Sequence, residues 1–350
     1  PRSTPKPSSA ASDVYRDSYT IPKLKKKMEH NLLKLVIVVF LSVNLFSKDF
    51  LELYRTKGIN AVENELEKSL RDVNSWKKYL ENKNVDYGFY ETKEYVIVAQ
   101  KNNKEMSVFA KNGDDFKKIS KDNMIIGEKA GDKYLEGDKK TPEGSYDLVQ
   151  KRTGLDQFYG PLALVTSYPN NFDQSLNKKG HGIWIHGMPL NGDRENYTQG
   201  CLALNNEKLK ELEKNIDYKK TVLITSGDEF KKAKKEDIAL ILSSIYKWKD
   251  AWKVSNINEY LSFYSKEFKR SDRTDFNTFA NQKKQVFAKN ENKIINLYNM
   301  DISPYPNSLG KKIYRAVMDE EYYSPSVKFV GKKELFIEVA NNKVQILAED

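Results

Sequence analysis

The sequence predicts a multidomain protein: a helical N-terminal segment, a mainly β middle region and a C-terminal α+β domain. Three features of the apolar pattern predict it. Apolar residues recur at spacings of three and four between Phe50 and Leu80, give way to short β-prone runs over residues 93–228, and return to helical spacing after Ser226. A length of 350 residues agrees, because a single hydrophobic core usually stops growing below that size.

Taken in order, residues 1–27 are rich in Ser, Pro and Lys and read as disorder or an upstream extension. Residues 28–47 place an apolar run, Leu32 to Phe46, behind a basic cluster at Lys23 and Lys25 to Lys27. The run is short for a bilayer crossing and suits a signal peptide or an uncleaved anchor, so export to the periplasm is expected. In residues 48–92 the positions Ile59, Val62, Leu66, Leu70, Val73, Trp76 and Leu80 make one helical face. That stripe must be covered, by the next domain or by a second copy of the chain in a homodimer.

The middle region opens with YVIVAQ (95–100) and MSVFA (106–110) around the turn-forming KNNKE. SYDLV, LALVTSY, GIWIH and TVLITS follow as further strands, and one amphipathic helix is expected near Asn206 to Asn215. Beyond it, Ile238, Ile241, Leu242, Ile245, Trp248 and Trp252 form a helix, with Leu261, Tyr264 and Phe268 continuing after a break near Ser255 and Asn256. KIINLYNMDI, KIYRAVMDEEYY and KKELFIEVANNKVQIL then read as strands. Helices before antiparallel strands indicate a separate α+β domain over residues 236–350.

Lys and Arg number 59 against 49 Asp and Glu, a net charge of +10. The lysines alternate with glutamates, as in LKELEKN, and there is no Arg-rich stripe, so a solvated surface is expected and nucleic acid is not. One cysteine, Cys201, excludes intramolecular disulfides and multi-cysteine metal sites. No metal and no cofactor is expected.

A free cysteine is usually a buried, inert residue. Here the only cysteine, two of the three histidines and a dense glycine cluster fall within GHGIWIHGMPLNGDRENYTQGCLALNN, residues 180–206. His186 ends an apolar strand and Cys201 opens another short apolar step. A nucleophile and its base on neighbouring element ends is the arrangement covalent catalysis needs. His181 and His186 fall on opposite faces by the strand period, which argues against a histidine metal site.

Two blocks resemble the L,D-transpeptidase (YkuD-like) catalytic domain. GDKKTPEGSYDL, residues 137–148, is similar to that family's Gly-x-Lys-x-Thr-Pro-x-Gly segment, and IHG followed by TQGC is similar to its catalytic signature. The resemblance implies a mixed β-sandwich with short helices. It implies that Cys201 attacks, His186 takes the thiol proton and the Gly187 carbonyl orients the imidazole. It implies an oxyanion hole from amides at Cys201 and Gly200, loop support from Thr198, and a substrate groove with His181, Trp184, Arg194, Lys139 and Thr141 as candidates. Gln199 stands at a variable place, and Ala203 stands where many members carry arginine. Ala203 cannot supply a guanidinium to a substrate carboxylate.

The implied activity is cleavage of peptidoglycan stems. Attack on the bond between meso-diaminopimelate and the terminal D-alanine leaves a thioester, with the Cys201 anion favoured by a neighbouring imidazolium. Water as acceptor gives an L,D-carboxypeptidase of the helical-cell-shape kind, whereas an amine gives 3–3 crosslinks and an L,D-transpeptidase. A wall-binding scaffold without catalysis is the third reading. WKDAWKVSNINEYLSFYSKEF, residues 248–268, is similar to the opening of an NTF2-like domain. That second resemblance implies helices on a curved sheet around a conical pocket, where a glycan ligand is expected.

Overall fold

The structure, a computed structural model, describes residues 49–350, so the expectations for 1–27 and 28–47 lie outside the described residues. It divides into two compact units at Leu66 and Glu67. The first contains helix α1 (residues 49–57) and the start of α2 (Ile59–Arg71). Leu51, Tyr54, Ile59 and Leu66 are exposed on these helices. Among the described residues, no helix is long and apolar enough to cross a membrane.

The long stripe expected between Phe50 and Leu80 is three helices. Asp72 ends α2 and starts α3 (Val73–Tyr79), its carboxylate accepting the Asn74 and Ser75 amides at 3.2 and 2.9 Å. Such a cap satisfies amides that have no partner inside the new helix. The stripe then passes into the C-terminal domain. Trp76 stacks on Tyr246 at 5.9 Å, and Leu80, Val85 and Phe89 are buried in that domain's core. The end of the helical segment, from α3 to strand β1 (Phe89–Tyr90), is thus covered by the C-terminal domain.

The middle region forms strands β2 (Tyr95–Gln100), β3 (Glu105–Asn112), β4 (Asp115–Asn123), β5 (Gly144–Thr153) and β6 (Leu162–Thr166). After the short helix α4 (Asn171–Ser175) come β7 (Trp184–His186), β8 (Leu202–Ala203), helix α5 (Asn206–Asn215) and β9 (Thr221–Ser226). Their order in the sheet is β4-β3-β2-β9-β5-β6-β7-β8. Two neighbours, β2/β9 and β7/β8, are parallel, and the rest are antiparallel. Strand β5 joins the halves, pairing β9 through Gly144–Asp147 and β6 beyond Leu148. Ile97, Leu148, Leu164, Ile185, Leu202 and Leu223 share one core with Leu209 and Leu212 of α5. Fully burying each such side chain stabilises the fold by roughly 1.5–3 kcal/mol.

The C-terminal domain sets helices α6 (Lys235–Lys253), α7 (Ile257–Ser262) and α8 (Phe276–Ala288) against β10 (Ile294–Tyr305), β11 (Ile313–Tyr323), β12 (Lys328–Ala340) and β13 (Lys343–Glu349). The sheet is antiparallel in the order β1-β10-β11-β12-β13. The apolar face of α6 (Ile238, Ile241, Leu242, Ile245 and Trp248) is buried against it. Trp248 is satisfied inside this core, donating its Nε1–H to Tyr264 Oη at 3.1 Å.

The two sheets are tied by polar contacts. Arg315 of β11 donates to Asp147 of β5 at 2.6 Å and to Glu334 of β12 at 2.5 Å, while Lys93 also reaches Asp147 at 2.6 Å. Burial opposes ionisation of Asp147, but Arg315 and Lys93 outweigh it and hold the carboxyl well below the usual carboxylate range.

Candidate active site

The parallel pair β7/β8 sets the site. Ile185 is in register with Leu202 and His186 with Ala203, which puts Cys201 beside the start of β7. Both Cys201 and His186 line one cavity of about 420 Å³. His181 also lines it from the loop before β7, exposed, and Trp184 and Arg194 contribute to its wall.

His186 is buried, and its Nδ1 lies 2.7 Å from the Gly187 carbonyl oxygen. A carbonyl only accepts, so Nδ1 carries the proton and Nε2 is the basic nitrogen. Tyr159 meets the ring edge-on at 5.2 Å. Burial is the main influence on this imidazole and, with the Arg194 charge, lowers it from 6.5 to about 4 despite the bond to Gly187. Cys201 is half-buried, its Sγ donating to the Gly182 carbonyl at 3.4 Å. Burial pushes the thiol up, against the Trp184 amide, Arg194 and Lys133, which pull it down. The resting pair is therefore neutral thiol and neutral imidazole. The imidazolium-assisted thiolate expected from the sequence is disfavoured because the pocket withdraws water from both charged forms.

The turn before Cys201 is pinned by one hydroxyl. Thr198 Oγ1 donates to the Cys201 carbonyl at 2.7 Å and accepts the Gly200 amide at 3.0 Å. Gly200 has φ of +132°, and a β-carbon there would lie 2.7 Å from the Lys140 carbonyl oxygen. Both demands call for glycine. With its amide committed to Thr198, Gly200 shapes the loop that presents Cys201.

Two groove candidates lie elsewhere. Thr141 is buried, its hydroxyl accepting the Gly127 amide at 2.9 Å, and it braces the fold beneath the site. Lys139 pairs with Glu128 at 2.5 Å and lies 5.9 Å from the Tyr197 ring, outside the cavity lining. The part of this segment that lines the cavity is just upstream, at Lys133, Glu136 and Gly137. Sequence reasoning missed Lys133, Phe158, Tyr159 and Tyr197. Only the aromatic cluster FY at 158–159, beside a glycine, could have marked any of them. Among the described residues, no cluster of His, Cys, Asp and Glu could hold a metal ion.

Known proteins share the architecture. Residues 94–224 match the L,D-transpeptidase catalytic domain, and residues 240–350 match the Cds6 C-terminal NTF2-like domain. The fold of this region is thus of the L,D-transpeptidase class. Among solved structures, the helical cell shape determining protein Pgp2 from Campylobacter jejuni is 38% identical, with 80% of this chain and 99% of that one covered at a TM-score of 0.76. A single-substitution form of Pgp2 aligns at 38% identity over 81% and 99% with a TM-score of 0.78. Bd1075 from Bdellovibrio bacteriovorus is 26% identical over 76% of this chain and 96% of its own, at a TM-score of 0.60. A search of curated proteins finds no match. The chain belongs to the Pgp2 family, which joins an L,D-transpeptidase catalytic domain to a C-terminal NTF2-like domain.

Proposed function

We propose that the protein is a periplasmic, cysteine-dependent peptidoglycan L,D-carboxypeptidase. Cys201 Sγ attacks the carbonyl between meso-diaminopimelate and the terminal D-alanine of a tetrapeptide stem, and His186 Nε2 takes the thiol proton. The tetrahedral oxyanion is met by the Cys201 amide. Collapse breaks the C–N bond, the proton passes from His186 to the leaving amine, and a thioester remains. Water then attacks the thioester, giving its proton to His186. The thiolate leaves, recovers a proton, and a tripeptide carboxylate is released.

The observation that carries this reading is the His186–Gly187 hydrogen bond at 2.7 Å, which makes Nε2 the basic nitrogen in a cavity shared with Cys201. Water is preferred to a second stem as acceptor because Ala203 replaces an arginine frequent in crosslinking relatives and because an extra domain is attached. Incubation with purified tetrapeptide muropeptides and mass analysis tests it: release of D-alanine without dimers is expected, and accumulation of 3–3 dimers would overturn the choice of acceptor.

The C-terminal domain is proposed to hold a glycan of the wall. Lys283 Nζ lies 5.0 Å from the Phe279 ring and 5.7 Å from those of Trp252 and Tyr260, and it shares Glu349 with Lys333. Paired charges beside the half-buried Trp252 indole suit a sugar with polar substituents. The exposed apolar residues of α1 and α2 are proposed to pair with a second copy.

A further inference from the structure

One cation in the cavity has donors left open. Arg194 lies in the loop between β7 and β8, its Cζ 4.7 Å from the centroid of the Phe158 ring. Its Nη2 donates to the Tyr197 carbonyl at 2.9 Å. Its Nε and Nη1 are buried and meet no acceptor among the described residues. The nearby lysines differ. Lys133 has acceptors in Asp138 at 2.8 Å and the Leu135 carbonyl at 3.0 Å, and Lys139 is paired with Glu128. Buried guanidinium donors without acceptors are unfavourable, and an anion brought by the substrate would relieve them.

We propose that Arg194 anchors the free C-terminal carboxylate of the peptide stem, the α-carboxylate of the D-residue that leaves. This rests on the peptidase reading and deepens it, because it makes recognition of a chain end part of the site. The placement fits. Arg194, Cys201 and His186 all line the same cavity. In the substrate, the carboxylate carbon is two bonds beyond the scissile nitrogen, so it must lie close to wherever Cys201 attacks. Arginine is suited to this task because its planar donors match a carboxylate and it stays charged when partly buried.

The test compares a stem tetrapeptide ending in D-alanine with the same peptide ending in D-alaninamide. Binding is measured by calorimetry on the full chain carrying Cys201→Ala. The acid is expected to bind tighter than the amide by on the order of 10-fold or more. Adding Arg194→Gln should remove the preference, and Arg194→Lys should restore part of it. Equal binding of acid and amide with Arg194 present would overturn the proposal, as would a preference that survives Arg194→Gln. The peptidase reading fails in a different way: no D-alanine release by the protein with its thiol, while the acid-over-amide preference in binding persists.

Discussion

The side-chain oxygen of Asn206 presses against Gly187: it accepts the Met188 amide at 2.9 Å and would lie 2.2 Å from a β-carbon built on Gly187. Pro161 Cδ closes the other side at 2.9 Å from that same point. The carbonyl that fixes the His186 tautomer therefore belongs to a residue with no room for a side chain.

Gly187→Ala should move that carbonyl and turn the imidazole. Misplacing a reacting group by ~1 Å lowers turnover by about 100-fold. D-alanine release measured beside a thermal melt checks this; unchanged turnover in a folded variant would show that Gly187 does not position His186.

Cys201→Ala should abolish D-alanine release, and His186→Gln should reduce it by at least ~100-fold. Mass analysis of the products reads both. Persistent turnover by Cys201→Ala would remove the thiol from the reaction.

His186 makes stability depend on pH in a defined window. Its folded value of about 4 lies below the unfolded 6.5, so the unfolded chain binds the proton more readily between those values. The His186 contribution is complete above pH 6.5, falls as the pH drops towards 4, and levels off below it, a loss of roughly 3 kcal/mol. Urea unfolding at several pH values should show this slope in the parent and a shallower one in His186→Gln. The same depression predicts that the acid limb of the kcat/KM profile lies nearer pH 4 than 6.5.

Arg315→Ala would leave Asp147 and Glu334 facing one another with much of their neutralising charge gone. Removing one partner from a buried ionic cluster destabilises by about 3–5 kcal/mol. Differential scanning calorimetry should show a lower melting temperature, with the catalytic and C-terminal sheets less tightly coupled.

Thr198→Val keeps the shape and removes the hydroxyl, leaving the Gly200 amide and the Cys201 carbonyl without this partner. Turnover should fall by on the order of 10-fold or more while Thr198→Ser stays near the parent, because buried backbone groups without partners are unfavourable. Steady-state kinetics of the two variants make the comparison.

The parts of this molecule legible in the sequence are those encoded locally. The runs YVIVAQ and TVLITS are strands β2 and β9, and the amphipathic stretch at Asn206–Asn215 is helix α5. Strand β4, DFKKISKDN, was not legible because it is largely exposed and its charges mask the alternation. Helix α4 is only five residues long, and α8 buries only Phe276, Phe279, Ala280 and Phe287, too sparse a stripe to stand out. Long-range partnership was hidden for the same reason: nothing in VNSWKKY says that Trp76 will stack on Tyr246. At the site, the residue types around Cys201 and His186 were visible in the motif. The neutral resting pair, the edge of Tyr159 and the open donors of Arg194 depend on burial, which no local pattern carries.

Strand β1 leads into the catalytic domain, yet Phe89 pairs with Ile302 on its far side. The cysteine site is therefore carried on a stretch of chain whose two ends are stitched into one and the same sheet. A single cut cannot separate the halves: removing everything after Ser226 strips Val85 and Phe89 of their cover, and expressing the tail alone omits an edge strand. During synthesis, β1 must wait for a partner, β10, that emerges only after the whole catalytic segment has been made.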